Sequence, residues 1–228
     1  MRGDQTLTKT EEKRLERERR QAERLEAEKQ RMQQMFSYER EHPEAAFICG
    51  IDEAGRGPLA GPVVAAAVIL PKDCPILYLN DSKKLSEKKR EELYEVIREG
   101  AVSVGVGFAS PERIDEINIL NATYEAMREA IAQLSPQPEL CLNDAVTIPG
   151  VAIPQIPIIK GDAKSASIAA ASIIAKVTRD HYMLEMDERY PEYGFAKHKA
   201  YGTAAHIEAL KKYGPCPIHR RSFIGNFT

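Results

Sequence analysis

The chain of 228 residues has no tryptophan and only four cysteines, and its longest apolar run, Val63 to Leu70, is the length of a strand. A bilayer crossing needs roughly 18 consecutive apolar residues, so a membrane span is excluded. The N-terminus is charged rather than shaped like a signal peptide, and the expected compartment is the cytoplasm. Cys49, Cys74, Cys141 and Cys216 are far apart and form neither a C-x-x-C pair nor a Cys/His cluster at zinc spacing. Cys49 and Cys141 sit in apolar runs, where a thiol is read as a small buried hydrophobe. No G-x-x-x-x-G-K-[ST] phosphate loop exists anywhere. The glycine-rich stretch from Gly50 is spaced G-x-G-x-x-x-G in its loop and is followed by a strand-like run, which rules out a dinucleotide fingerprint.

An excess of either charge is also missing, but only on average. The formal net charge is −2. Residues 1–45 carry 11 basic and 11 acidic side chains, residues 46–195 carry 15 and 22, and residues 196–228 carry six and one. A protein that coats nucleic acid indiscriminately is basic throughout. An acidic body with a basic end suits carboxylates that hold metal beside a surface that meets phosphate, or an idle asymmetry.

What the chain does have is 43% apolar residues, enough for a packed core. Glu11 to Arg40 is almost wholly Glu, Arg, Lys and Gln, a helix-forming composition with a thin, interrupted apolar seam. His42-Pro43 ends it, which places a boundary near residue 45. Phe47–Asp52 and Val63–Leu70 then read as strands around the turn Ala54–Pro62. Ser86–Gly100 reads as a helix capped by Ser86, and Val102, Val104, Val106 and Phe108 alternate as in a strand. A short helix is expected from Pro111 and another over Asn121–Leu134. Leu140–Leu142 and Ile156–Ile159 read as short buried strands, Ser165–Tyr190 and Thr203–Tyr213 as helices. The order predicts a mixed α/β sheet with helices on both faces.

Asp52-Glu53, Asp144 and Asp162 each follow an apolar run, and ligands of open α/β sheets collect at strand carboxyl ends. Buried carboxylates gathered at one end of a sheet repel one another unless a cation is present. Hard divalent cations, Mg²⁺ or Mn²⁺, suit such oxygen ligands. Singly, each acid could equally cap a turn. Gly55 and Gly57 suit a loop whose backbone comes close to a ligand, with Arg56 between them.

Five blocks, taken in order, resemble type 2 ribonuclease H (ribonuclease HII), from about Phe47 to Phe223. They are Ile51-Asp52-Glu53-Ala54-Gly55-Arg56-Gly57-Pro58, Asn80-Asp81-Ser82-Lys83-Lys84-Leu85, Ile158-Ile159-Lys160-Gly161-Asp162, Ala170 to Asp180, and Tyr193 to Lys199. The resemblance implies an RNase H-like mixed sheet flanked by helices, with C-terminal helices and the charged N-terminal arm added. It further implies a metal-dependent endonuclease for the RNA strand of RNA–DNA hybrids and for ribonucleotides embedded in duplex DNA, leaving a 3′-hydroxyl and a 5′-phosphate. The catalytic acids and metal ligands it assigns are Asp52, Glu53, Asp144 and Asp162, with Mg²⁺ or Mn²⁺ in a two-metal mechanism and Asp52 as the shared ligand. Type 3 enzymes resemble the chain in the Asp-Glu pair but carry a glutamate as the fourth acid and a folded N-terminal domain, so Asp162 and the charged arm favour type 2. A catalytically silent nucleic-acid-binding relative would lack one of the acids.

The resemblance also gives substrate contacts. The backbone of Gly55-Arg56-Gly57 is expected to read the 2′-hydroxyl, the one group that separates RNA from DNA. Lys83 is expected on a phosphate and Tyr201 on the sugar beyond an RNA–DNA junction. Ala200 stands where the family usually has glycine. Lys84, Lys176 and Arg179 are read as phosphate contacts or solvated faces. His198, Arg220 and Arg221 are read as substrate-touching, with a structural role the more common one for a lone histidine such as His198, and Asp180 is read as orienting its neighbours. The catalytic unit is expected as a monomer spanning 46–228, with no step that needs residues 1–45, whose protein partner, if one exists, the sequence leaves open.

Overall fold

A computed structural model describes residues 9–227. The charged arm forms α1 (Lys9–Met35) and, after a break at Phe36, α2 (Ser37–Glu41). Along most of α1 the helix is held by its own composition and by i, i+4 pairs such as Arg20 with Glu16 at 2.5 Å. Its last turns are not fully solvated. Met32 and Met35 are buried in the main core, because only there does the thin apolar seam meet other apolar surface.

The sheet begins with β1 (Ile48–Ala54) and β2 (Val63–Ile69). It continues, after α3 (Glu87–Gly100), with β3 (Ser103–Ala109). Next come α4 (Pro111–Ala132), β4 (Leu140–Asp144), β5 (Gln155–Ile158) and α5 (Ala166–Arg189). Short α6 (Phe195–His198), α7 (Ala204–Tyr213) and α8 (Arg221–Ile224) close the chain. Strand order is β3-β2-β1-β4-β5. The first three pair antiparallel; β4 and β5 extend β1 in parallel. The expected cap Ser86 is in place, and Ser165 and Thr203 do the same for their helices, each accepting an amide hydrogen from the first turn.

Side chains of β2 alternate between two apolar layers. Ala66 and Val68 meet α1, α3 and α5, whereas Ala65 and Ala67 meet α4. The small-residue run Ala166–Ala171 lets α5 lie directly on β1: a methyl group at Gly50 would be 2.0 Å from the Ser167 carbonyl carbon. On β3 the alternation has a different use from the one its valines suggest. Gly105 and Gly107 face α4, where an added Cβ would lie 2.0 Å from the carbonyl oxygens of Ala130 and Ala126, and Phe108 is 44% exposed. The two helices expected over 111–134 are stacked end to end. Asn118, at φ 68°, breaks the helix, and its side chain accepts the amides of Leu120 and Asn121 to start the second part.

Gly107→Ala is expected to cost about 2–3 kcal/mol, because the obstruction is backbone rather than a flexible side chain. Urea denaturation measures this; an unchanged midpoint would show that α4 can move off the sheet freely.

Candidate active site

Strand pairing explains why Asp52 and Asp144 meet. β1 and β4 run parallel with Ile51 opposite Asn143, so the next residue of each strand, Asp52 and Asp144, comes out side by side. Ile51 packs on the α4 layer, so Asp52 points to the opposite face, toward α5. There the Ser172 hydroxyl is hydrogen-bonded to its carboxylate and lies 2.9 Å from Ser82 Oγ. Asp144 accepts the Gly161 amide at 2.7 Å. That bond is made by a turn in which Lys160 takes left-handed dihedrals (φ 58°) and which carries Asp162 into a one-turn 3₁₀ helix, Gly161–Ala163.

Electrostatically these acids form one neighbourhood. Only 6% of Asp52 is exposed. Burial pushes it well above the usual carboxylate range, and the charges of Glu53 and Asp144 push the same way against the Ser172 hydrogen bond. Burial also holds Glu53 high, even though Arg56, 3.3 Å away, works against it. Asp162 is raised by burial and by Asp81 and Asp144. Among the described residues no three His, Cys, Asp or Glu side chains converge as a finished ligand group. The acids lie instead in two overlapping sets, Asp52-Glu53-Asp144 and Asp144-Asp162-Asp81. Their donor atoms are all carboxylate oxygens, the chemistry that hard divalent cations take, and their mutual repulsion is what such a cation would relieve.

Asp81 was not a candidate from sequence, although its block was recognised. It adjoins Asp162 and raises it, accepts the Lys83 amide at 2.9 Å and sits 3.9 Å from Lys84 Nζ. Lys83 itself is in the site, where its charge counters both Glu53 and Asp162. The loop that brings Asp81 and Lys83 here is braced by the arm. Arg31 donates to the Leu79 carbonyl at 2.7 Å, and Glu28 accepts the Tyr78 amide at 2.7 Å. Glu39 accepts the Ser165 and Ser167 hydroxyls at the start of α5, three residues beyond Asp162.

The glycine-rich loop adjoins the acids. Gly55 has φ +95°, and a Cβ there would strike the Arg179 side chain at 2.1 Å. Arg56 and Gly57 are exposed. Tyr201, 48% exposed, borders the same surface, with its Cε1 3.7 Å from where a Gly57 methyl would be. Ala200 is buried at φ 67°, so this alanine takes the left-handed turn that favours glycine; its carbonyl accepts the Leu59 amide at 2.8 Å and ties the Tyr201 segment to the loop.

Several basic side chains are elsewhere than sequence suggested. Lys176 pairs with Asp180 at 2.7 Å, whereas Lys84 is exposed, in keeping with its reading as a solvated face, and 3.9 Å from Asp81. Arg179 and Arg220 are neither phosphate-facing nor solvated: both are buried on backbone carbonyls. Their chain positions carry no periodic signal that would mark them as buried. His198 is structural, bonded to the Tyr193 carbonyl at 2.9 Å and stacked on His206. Arg221 is exposed, with its amide on Asp115. Cys49 and Cys141 are buried neighbours on β1 and β4.

A hairpin extended by two parallel strands, faced by helices and carrying acids at the ends of β1 and β4, defines an RNase H-like nuclease. Residues 49–226 match the family model described as Ribonuclease HII. The ribonuclease HII of Lachnoclostridium phytofermentans is 68% identical over 206 residues, covering 90% of this chain and 81% of that protein. Among solved structures, ribonuclease H2 of Pyrococcus horikoshii OT3 aligns with a TM-score of 0.63 at 30% identity, over 77% of this chain and 93% of that one. The PCNA:RNase HII complex of Archaeoglobus fulgidus gives 0.66 at 29% identity, over 79% and 96%. The chain belongs to the ribonuclease HII family and is a ribonuclease H, a hydrolase acting as an endoribonuclease.

The raised carboxyls set the sign of a stability test. A carboxyl favoured neutral in the fold supports folding at low pH and loses that support as pH rises through its raised folded value. Asp52→Asn keeps the shape and removes the charge. It is expected to raise the thermal midpoint of the metal-free protein at neutral pH, with the advantage vanishing below the ordinary carboxylate value of about 4. A lower midpoint at neutral pH would mean that Asp52 is not held against its own charge.

Proposed function

We propose that the protein is a divalent-metal-dependent endonuclease that cuts the RNA strand of RNA–DNA hybrids and incises duplex DNA at embedded ribonucleotides. The products are a 3′-hydroxyl and a 5′-phosphate. The observation that carries the reading is the burial of Asp52 beside Glu53 and Asp144, with its carboxyl raised by that burial and by their charges. Such a group is costly unless a cation joins it.

Asp52, Glu53, Asp144 and Asp162 would hold the metal, Mg²⁺ or Mn²⁺, which supplies charge to the scissile phosphate and lowers the pKa of an attacking water. The protein's own groups do the rest. Ser172 orients the Asp52 carboxylate, and the Gly161 amide orients that of Asp144. Lys83 places a positive charge beside the acids where a phosphate would enter. The Gly55-Arg56-Gly57 backbone, exposed at Arg56 and Gly57, would test a ribose for its 2′-hydroxyl, and the Tyr201 ring would support the sugar of the following deoxynucleotide. Residues 46–228 form the catalytic unit, with the end of the arm packed on it. One chain carries all of these groups, so we take a monomer in the cytoplasm, working in DNA replication and repair, as the acting form.

Cleavage of duplex DNA carrying one ribonucleotide tests the reading. The wild type should cut beside the ribonucleotide only with Mg²⁺ or Mn²⁺, and Asp52→Asn should lose roughly three orders of magnitude in rate while still binding hybrid. Cleavage in chelator, or substantial turnover by the variant, would refute it. Tyr201→Ala should lose about tenfold more activity on the single ribonucleotide than on a continuous hybrid; equal losses would remove Tyr201 from junction recognition.

A further inference from the structure

Two fully buried cations on the glycine loop are not used by the chemistry above. Arg179, on α5, is 1% exposed and Arg220, just before α8, is 0% exposed. Every hydrogen bond they make goes to a backbone carbonyl. Arg220 donates to Gly55, Arg56 and Gly61 at 2.6, 3.0 and 2.9 Å. Arg179 donates to Ala60, Pro62 and Lys199 at 3.0, 3.1 and 3.1 Å. Burial draws both guanidinium groups down, Arg179 to about 10 and Arg220 to about 9, and the two also repel each other. Both remain cations at neutral pH. Keeping two like charges in the interior for the sake of six carbonyls is an expensive way merely to fill space.

The geometry of the peptide unit shows what this arrangement achieves. In a planar trans peptide the N–H points opposite to the C=O. Arg220 draws the carbonyls of Gly55 and Arg56 inward, so the amides of Arg56 and Gly57, which share those two peptide planes, are turned outward at the exposed tip of the loop. Arg179 fixes the other limb of the loop and, through the Lys199 carbonyl, the segment leading into Tyr201. Further bonds tie the same pieces together: Leu59 donates to Ala200, Gly61 to Ile218, and Arg220 to Leu59. A lysine could not replace either arginine, because a single ammonium cannot span three carbonyls held in a planar fork.

We propose that Arg220 is a specificity-positioning residue: its guanidinium holds two successive peptide planes so that the amides of Arg56 and Gly57 face the ribose of the substrate, and Arg179 aligns this loop with Tyr201. The proposal rests on the reading of Gly55-Arg56-Gly57 as the ribose contact.

The test measures binding in an Asp52→Asn background, where cleavage does not intervene. Two duplexes of identical sequence are compared, one all DNA and one with a single ribonucleotide. The background protein should prefer the ribonucleotide duplex; absence of any preference would sink the ribose-contact reading itself. Adding Arg220→Lys should shrink that preference about tenfold, the scale of lost charged hydrogen bonds, while leaving all-DNA affinity within about twofold. An undiminished preference in a folded Arg220→Lys protein would overturn the positioning role, as would equal weakening toward both duplexes. A second measurement needs no variant. In the wild type the Arg220 Nε–H should be protected from solvent exchange, and the Arg56 and Gly57 amide resonances should shift on adding the ribonucleotide duplex but not the all-DNA one. Rapid exchange at Nε, or identical shifts with both duplexes, would equally overturn it.

Discussion

A carboxylate held almost out of water at the end of a central strand is the constraint on which the rest of this structure turns. Asp52 is placed there by β1, whose preceding residues are apolar and whose neighbour β4 delivers Asp144 at the adjacent register position. Nothing about the fold alone favours that pairing, since burial and like charge both oppose ionisation. The surroundings moderate the cost without removing it. Ser172 from α5 stabilises Asp52, the Gly161 amide stabilises Asp144, and the nearby Lys83 counters Glu53 and Asp162. The close seat of α5 on Gly50 brings Ser172 within reach, so the tight helix–sheet contact and the chemistry of the site share one cause.

Much of this was legible in the sequence. Apolar runs ending in acids marked β1 and β4, and the cap Ser86 marked the start of α3. The order of strands in the sheet was not legible, because parallel addition of β4 beside β1 is a tertiary choice that no local period encodes. Alternation on β3 was visible but its sense was not: the glycines, not the valines, mark the close helix contact. Asp81 lay inside a recognised block, yet only three-dimensional proximity to Asp162 reveals it as a fifth acid at the site. Arg179 and Arg220 read as surface basics because buried arginines bound only to carbonyls leave no pattern in the chain.

The arm shows the same limit from the other side. Composition identified a charged helix and its end at His42. Its attachment to the catalytic unit comes from a few residues near that end: Glu28 and Arg31 on the loop before Asp81, Met32 and Met35 in the core, and Glu39 at the start of α5. Both acid-bearing segments outside the central strands are thus held partly from the arm. At the opposite side of the site the C-terminal segment does the corresponding work for the glycine loop and Tyr201. The acids are anchored by sheet and arm, the recognition loop by the two buried arginines.

The central claim is that the acids are held against their own charge until a divalent cation joins them. Calorimetric titration of the nucleic-acid-free protein with Mn²⁺, repeated in buffers of different ionisation enthalpy, tests it most directly. The account predicts saturable binding accompanied by proton release at mildly acidic pH, because carboxyls raised by burial must ionise to bind, with the release fading as the solution becomes alkaline. Binding with no proton release at any pH, or no saturable binding, would contradict it.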